Sequence, residues 1–380
     1  MKIVRILAVM IAVVSLCAAP ALAADTIKVG AILAVTGGAS NLGAPEARTL
    51  EMLVEEINAK GGVGGKKIEL IIKDSATDPQ KAVSFAKQLI DEEKVFAIIG
   101  PSTSGETMQI KDIAEAGKTI LLSCAAAEPI VNPVAKYVFK TPQMDRDAVL
   151  MIFKDMKKKG ISKIGLLTAN TGFGKAGKGQ IEKLAPEQGI TILANEVYDS
   201  KATDLTAEVT KINAANVQAI INWSIEPAQS ICLKNARQVC ANIPVYQSHG
   251  FGNINYVKAA GAAADGVIFP AGRLIVADTL SDKNPQKALL VDYKKKYEAR
   301  YKEDVSTFGG HAYDAFTILM KAIEKAGPDK EKVRDAIENM KGFVGTAGIF
   351  NFSPTDHNGL DINAFELMTV KDGKFVVYDK

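Results

Sequence analysis

Residues 172–177, Gly172-Phe173-Gly174-Lys175-Ala176-Gly177, match the G-x-G-x-x-G pattern that sets a dinucleotide pyrophosphate on a helix N-terminus. The run follows a strand-like stretch and precedes a helical one, and Glu196 and Asp199 lie about twenty residues on, where a ribose partner belongs. In the fingerprint the first glycine turns directly off the strand, but here Thr168 to Thr171 intervene. The same stretch nearly spells a P-loop, since Gly172, Gly177 and Lys178 fit G-x-x-x-x-G-K. The next position must be Ser or Thr to hold magnesium, and it is Gly179. A nucleotide-using soluble enzyme is therefore an alternative reading. The favoured one is a flexible loop that aims Phe173 into a cleft.

A second candidate is Ser102-Thr103-Ser104, between a strand-like run and a helix containing Ile110. Hydroxyls beside the free N–H groups of a helix start make a ready carboxylate site. One hydroxyl would suffice for an N-cap, so three in a row favour ligand binding. No metal site and no cofactor are expected. His249, His311 and His357 are widely separated, and neither C-x-x-C nor H-E-x-x-H occurs. No G-x-S-x-G nucleophile elbow occurs either. His311, within Gly309-Gly310-His311-Ala312-Tyr313-Asp314, reads as packing against a helix.

The elements that must position these groups form one pattern used twice. Candidate strands are 27–35, 68–74, 95–100 and 119–123, then 163–168, 190–197, 217–223, 243–247 and 266–270. Short Val/Ile-rich runs suit strands buried on both faces of a parallel sheet. Amphipathic helices lie between them; Leu50, Leu53, Val54 and Ile57 mark one face, ended by Lys60-Gly61-Gly62. The fold class is thus α/β, with two doubly wound parallel-sheet lobes. Loops after the strands are small and polar in both halves, for example 36–40, 101–105, 124–127, 170–174, 224–227 and 248–252. Ligands bind at the C-terminal ends of strands in such sheets, so two lobes should face one cleft. Helices are expected over 284–301, 307–326 and 329–340, followed by short strands at 348–352, 365–370 and 375–378.

The chain has 380 residues, 47% hydrophobic and 23% charged, which suits about two domains. Residues 1–23 read as an export signal: Lys2 and Arg5, an apolar run from Ile6 to Ala19, and Ala21-Leu22-Ala23 as the cleavage site. The run is short for a membrane anchor, and Leu16 does not suit lipidation of Cys17. Of 46 basic residues, 44 then remain against 43 acidic ones, a net charge of +1. That balance excludes the basic excess a nucleic-acid or polybasic membrane-surface protein needs. A single Trp and 6% aromatics argue against a sugar-stacking surface. Three cysteines remain, Cys124, Cys232 and Cys240, and all are expected buried and unpaired. If one helix carried both Cys232 and Cys240, their Cα atoms would be about 12 Å apart, beyond a disulfide's reach.

The series 27–30 leading to Thr36-Gly37, Glu56-Ile57-Asn58-Ala59-Lys60-Gly61-Gly62, Asp78-Pro79-Gln80-Lys81-Ala82-Val83 and Val95-Phe96-Ala97-Ile98-Ile99-Gly100 resembles the leucine/isoleucine/valine-binding family. These are type I periplasmic substrate-binding proteins that serve ABC importers, and the resemblance covers nearly all of the mature chain. It implies a non-catalytic, periplasmic, monomeric receptor that docks on an integral-membrane permease. It implies three hinge crossings, near 141–145, 269–273 and 347–351. One lobe would comprise 24–143 with 272–348, the other 144–271 with 349–380.

It also implies that Ser102, Thr103, Ser104 and the backbone of Ala125, Ala126 and Ala127 hold a ligand carboxylate. Phe173 would cover the ligand, and the loops bearing Trp223, Glu226 and His249 would complete the far wall. Leu42 stands where amino-acid binders tend to carry tyrosine, and His249 where they carry a glutamate for the ligand's ammonium. Thr77 and Thr103 replace a bridging cysteine pair. Either Glu226 supplies the missing counter-charge or the ligand lacks an ammonium, as an aromatic or phenylpropanoid carboxylate does.

Overall fold

A computed structural model of the chain describes residues 26–378. The export signal, its cleavage after Ala23 and Cys17 lie outside the described residues. The chain opens with strand β1 (Ile27–Leu33), helix α1 (Ser40–Ala59), β2 (Ile68–Asp74), α2 (Pro79–Lys87), β3 (Ala97–Ile99), α3 (Ser104–Ala116), β4 (Ile120–Ser123) and β5 (Val138–Lys140). These five strands form an all-parallel sheet in the order β2-β1-β3-β4-β5. Next come α4 (Asp145–Lys158), β6 (Lys163–Ala169), α5 (Gly172–Leu184), β7 (Thr191–Tyr198), α6 (Thr206–Ala214), β8 (Ala219–Trp223), α7 (Ala228–Val239), β9 (Val245–Gln247), α8 (Ile254–Ala260) and β10 (Ile268–Ala271). The last part holds α9 (Lys287–Tyr301), α10 (Thr307–Ala326), α11 (Lys330–Glu338), β11 (Phe343–Val344), β12 (Ile349–Phe350), β13 (Glu366–Lys371) and β14 (Lys374–Val377).

The second sheet runs β14-β13-β10-β9-β8-β6-β7. Strands β6 to β10 are parallel, and β13 and β14 add an antiparallel hairpin. That hairpin turns at Asp372 and Gly373, both at positive φ (52° and 71°), which matches the right-handed twist of paired strands. Two strands escape the expected pattern of full burial. β2 and β7 are sheet edges, and β7 alternates exposed with half-buried residues, leaving Leu193 and Val197 in solvent. β5 was not foreseen; its apolar run, Tyr137-Val138-Phe139, is cut short by Lys140, which is nevertheless wholly buried.

The core divides with the sheets. α10, α11, Phe350, Phe352, Leu360 and Ala364 pack against β1, β3 and β4. α4 to α8, together with Phe365 and Met368, pack around β6 to β10. Residues 349–364 were expected with the second sheet, yet their buried side chains join the first. The apolar side chains of 350, 352, 360 and 364 find their cavity there, and the chain passes to the second sheet at Ala364–Phe365. Two other passages lie at 141–144 and 271–273. Gln143, in the first of these, is tied to the passage at Ala364–Phe365, donating from Nε2 to the carbonyls of Ala347 at 2.8 Å and Ala364 at 3.4 Å. Arg273 donates to Glu366 Oε1 from Nη2 at 2.7 Å and from Nε at 3.0 Å.

Cys124, Cys232 and Cys240 are buried free thiols. No helix among the described residues is long and apolar enough to cross a membrane.

Candidate functional site

The C-terminal ends of both parallel sheets converge on one cavity. Leu42, Ser102, Ser104, Cys124, Ala125, Ala126, Pro142 and two α10 residues, Phe308 and His311, line it from one side. Phe173, Ile225, His249 and Gly250 line it from the other. Together they enclose a cavity of about 20 Å3, room for a single water with the lobes this close.

The three hydroxyls after β3 have different duties. Ser102 Oγ accepts the N–H of Ala34 at 3.0 Å and donates its proton to Glu46. Thr103 is the N-cap of α3; its Oγ1 accepts the N–H of Glu106 at 3.3 Å and donates to Glu106 Oε2 at 2.6 Å. Both donors are therefore spent within the protein, and Thr103 does not line the cavity. Ser104 Oγ only accepts, from the N–H of Ala127 at 3.3 Å. Its proton is left for the cavity, beside the free N–H groups of the first turn of α3. Ala125 donates its N–H to Ser123 Oγ at 3.1 Å, whereas the N–H of Ala126 makes no hydrogen bond among the described residues. Ala127 lies behind Ser104 and off the wall.

The glycine run is not a flexible loop but the first turns of α5, capped by Thr171, whose Oγ1 accepts the N–H of Gly174 at 3.2 Å. Packing explains its glycines. A Cβ on Gly174 would sit 1.9 Å from the Ala169 carbonyl oxygen, and one on Gly177 would sit 2.1 Å from Trp223 Nε1. One on Gly172 would sit 2.6 Å from Gly105 Cα, across the cleft. Phe173 does face the cavity as expected, held by Trp223 with ring centroids 5.7 Å apart. Trp223 itself is fully buried behind Phe173 and His249 rather than on the wall. Glu226 is also off the wall, and Ile225 takes its place. Glu226 Oε2 turns back to accept from Ser224 Oγ at 2.9 Å and from the N–H of Ile225 at 3.3 Å.

His249 sits in a box of Phe173, Trp223 and Phe365, with centroid distances of 5.3, 5.7 and 5.5 Å. Its Nε2 faces Asp145 Oδ1 at 3.6 Å. Neither ring nitrogen, and neither oxygen of the fully buried Asp145, makes a hydrogen bond among the described residues. Lys140 lies in the same buried region and donates from Nζ to the carbonyls of Pro142 at 2.7 Å and Gln143 at 3.2 Å. Burial pushes Lys140 down and Asp145 up, and each opposes the other's shift. Burial, with Lys140 beside them, holds His249 well below the usual imidazole range and His311 at about 3. Both rings are neutral at pH 7. Sequence spacing kept the histidines apart, but the fold brings His249 and His311 to one cavity. No group of three metal-capable side chains forms among the described residues.

The two lobes also meet at the rim. Asn253 Nδ2 donates to the Asn41 carbonyl at 2.8 Å, and Asn255 Nδ2 to Asn41 Oδ1 at 3.1 Å. The N–H of Thr307, opening α10, donates to the Gly252 carbonyl at 3.1 Å. The sequence profile of the periplasmic binding proteins matches residues 26–374, both sheets and the cleft included. The chain belongs to the periplasmic binding protein family. It is 27% identical, over 94% of its length and 91% of the relative's, to a leucine-, isoleucine-, valine-, threonine- and alanine-binding protein of Pseudomonas aeruginosa. It is 26% identical to a Leu/Ile/Val-binding protein of Rhizobium johnstonii, covering 96% of both chains. Among solved structures, an extracellular ligand-binding receptor from Rhodopseudomonas palustris aligns with a TM-score of 0.87 at 28% identity, over 93% of this chain and 99% of that one. A branched-chain amino acid transporter substrate-binding protein from Streptococcus pneumoniae, in complex with isoleucine, aligns at 0.81 and 26% identity, over 92% and 98%. The periplasmic binding protein family is one of solute-binding proteins and has the two-lobed type I fold seen here.

As a periplasmic binding protein the chain has more residues on its cleft wall than its sequence disclosed. Ile225 and Gly250 lie in the two loops expected to complete the far wall, whereas Cys124, Pro142, Phe308 and His311 were not foreseen. A usable signal existed for the last pair: Gly309 and Gly310 between them mark close packing, with a Cβ at Gly310 only 2.7 Å from Thr346 Oγ1.

Proposed function

We propose that this is an exported receptor of a branched-chain-amino-acid-type ABC importer, trapping a small carboxylate-bearing ligand between two lobes. The observation that carries the reading is the pairing of Ser104, whose proton is free, with the unbonded N–H of Ala126 on one cavity wall. A carboxylate accepts such donors well, and a helix N-terminus favours its charge. Phe173 and His249 come from the opposite lobe, so a ligand touching both walls stabilises the closed form by its differential affinity. Binding needs no group transfer, so the protein is not read as an enzyme and needs no cofactor. It would act as a monomer, processed after Ala23, and hand its ligand to an integral-membrane permease. The lobes would divide at the three chain passages, with the third at Ala364–Phe365.

The names of the relatives support an aliphatic amino acid as ligand. The orientation of Glu226 favours the second reading, an aromatic monocarboxylate. Glu226 is buried and engaged with its own loop, so it offers an ammonium no counter-charge. A buried ammonium without a carboxylate costs several kcal/mol. Thermal shift against leucine, isoleucine, valine and cinnamate-type acids tests both readings. A ligand at 100 times its Kd adds about 2.7 kcal/mol of stability. Failure of every carboxylate would overturn the proposal.

A further inference from the structure

The cavity has a second polar point that a carboxylate does not explain. His249 lines the wall opposite Ser104, is only 7% exposed, and leaves both ring nitrogens without a hydrogen bond among the described residues. The surfaces around it are Phe173, Trp223 and Phe365, and the Trp223 N–H is turned toward Gly177 and does not bond it. Beside it, at the start of α4 in the same lobe, stands Asp145, fully buried, with both oxygens equally unengaged. Buried polar atoms are nearly always satisfied, so this set points to a group that enters with the ligand.

The charge of that group follows from the neighbours. Nε2 of His249 faces Asp145 Oδ1 at 3.6 Å, which leaves Nδ1 as the nitrogen for the ligand. Lys140 and Asp145 are coupled, and as an ion pair or as a neutral pair they carry no net charge. His249 and His311 are neutral, and Glu226 faces away. Glu46, behind Ser102 with Oε1 unpartnered, is pushed by burial toward its neutral form, so no uncompensated negative charge is left for an ammonium. The ligand group must be uncharged. It must also suit Nδ1 as acceptor when Asp145 is ionised and Nε2 carries the ring proton, or as donor when Asp145 is protonated. A hydroxyl meets both conditions, because it donates and accepts.

We infer that the cleft selects hydroxy acids: His249 Nδ1 bonds a ligand hydroxyl, alcoholic or phenolic, and Asp145 positions the His249 ring. This deepens the carboxylate reading and rests on it. The two fail in different ways.

The test is calorimetric titration of the mature protein at neutral pH with matched compounds. These are 2-hydroxy-4-methylpentanoate against 4-methylpentanoate and leucine, and 4-hydroxycinnamate against cinnamate. In at least one pair the hydroxy acid should bind about tenfold tighter than its deoxy partner, the worth of one net hydrogen bond. His249→Phe should erase that preference, the hydroxy acid and its deoxy partner then binding with equal affinity in the same variant. His249→Gln, which keeps a hydrogen-bonding group, should restore part of the preference and guards against a folding defect in the Phe variant. Asp145→Leu should reduce the preference and Asp145→Asn should retain part of it, as expected of a positioning residue. Equal affinity within both pairs, leucine binding tightest, or a preference that survives His249→Phe would each overturn the hydroxyl inference while leaving the carboxylate reading intact. Binding of no acid at all would overturn both.

Discussion

Gly172 of the second lobe meets Gly105 of the first backbone to backbone. A Cβ on Gly172 would lie 2.6 Å from Gly105 Cα and 2.7 Å from its N. Two helix starts, α5 and α3, can therefore close over the ligand only while neither carries a side chain at this point. Gly172→Val should hold the lobes apart. Its affinity for the ligand should fall about tenfold or more, because overpacking costs about 1–3 kcal/mol, while the ligand-free melting temperature stays near wild type. Small-angle scattering with saturating ligand should show the variant remaining more extended.

Ser102 and Ser104 should separate cleanly. Ser104→Ala removes the free donor and should weaken a carboxylate ligand by about 1–3 kcal/mol, with a stability loss of about 1 kcal/mol from the Ala127 N–H it leaves unpaired. Ser102→Ala instead strips Glu46 and the Ala34 N–H of their partner, and should lower stability by about 1–3 kcal/mol. Titration calorimetry and urea unfolding on the two variants read these outcomes separately.

Gly177→Ala places a methyl against the indole of the fully buried Trp223. It should destabilise the second lobe by about 1–3 kcal/mol and loosen Phe173, which Trp223 supports. A lower melting temperature together with weaker ligand binding is expected, since nothing else fills the gap behind Phe173.

His311 gives a pH prediction. Burial holds its folded-state pKa at about 3, below the ordinary imidazole value of about 6.5. Between those values the unfolded chain binds the proton and the folded one does not, so this group's contribution rises with pH and is lost on acidification. His249 acts in the same direction. Asp145, raised by burial, acts in the opposite one. Replacing His311 by Asn should therefore reduce the loss of melting temperature between about pH 7 and about pH 4.5, by about 3 °C or more, given 2–4 °C per kcal/mol.

Sequence carried the periodic parts of the fold well. Strand Ile68–Asp74 and helix Thr307–Ala326 stand where alternating apolar runs and amphipathic spacing placed them. It failed where one residue type serves two ends. The Gly172–Gly177 run reads as a phosphate loop because glycine is needed equally for a ligand's close approach and for that of Ala169, Trp223 and Gly105. β5 was hidden because Lys140 reads as a surface residue, yet its ammonium is satisfied by two carbonyls inside the protein. In the site, Phe173, His249, Ser104 and the alanine loop follow from position after a strand. The Lys140–Asp145–His249–His311 cluster could not be read, because its members come from three stretches of chain far apart in sequence. Glu226 could be placed near the cleft, but which way its carboxylate turns depends on the Ser224 hydroxyl.

The most direct measurement is calorimetric titration of the mature protein with free acids and with the methyl ester of each. The account predicts one-to-one binding of at least one free acid and no measurable binding of its ester, because Ser104 and the start of α3 are arranged for a charged acceptor. Equal binding of acid and ester, or heat from neither across aliphatic, hydroxy and aromatic acids, would contradict it.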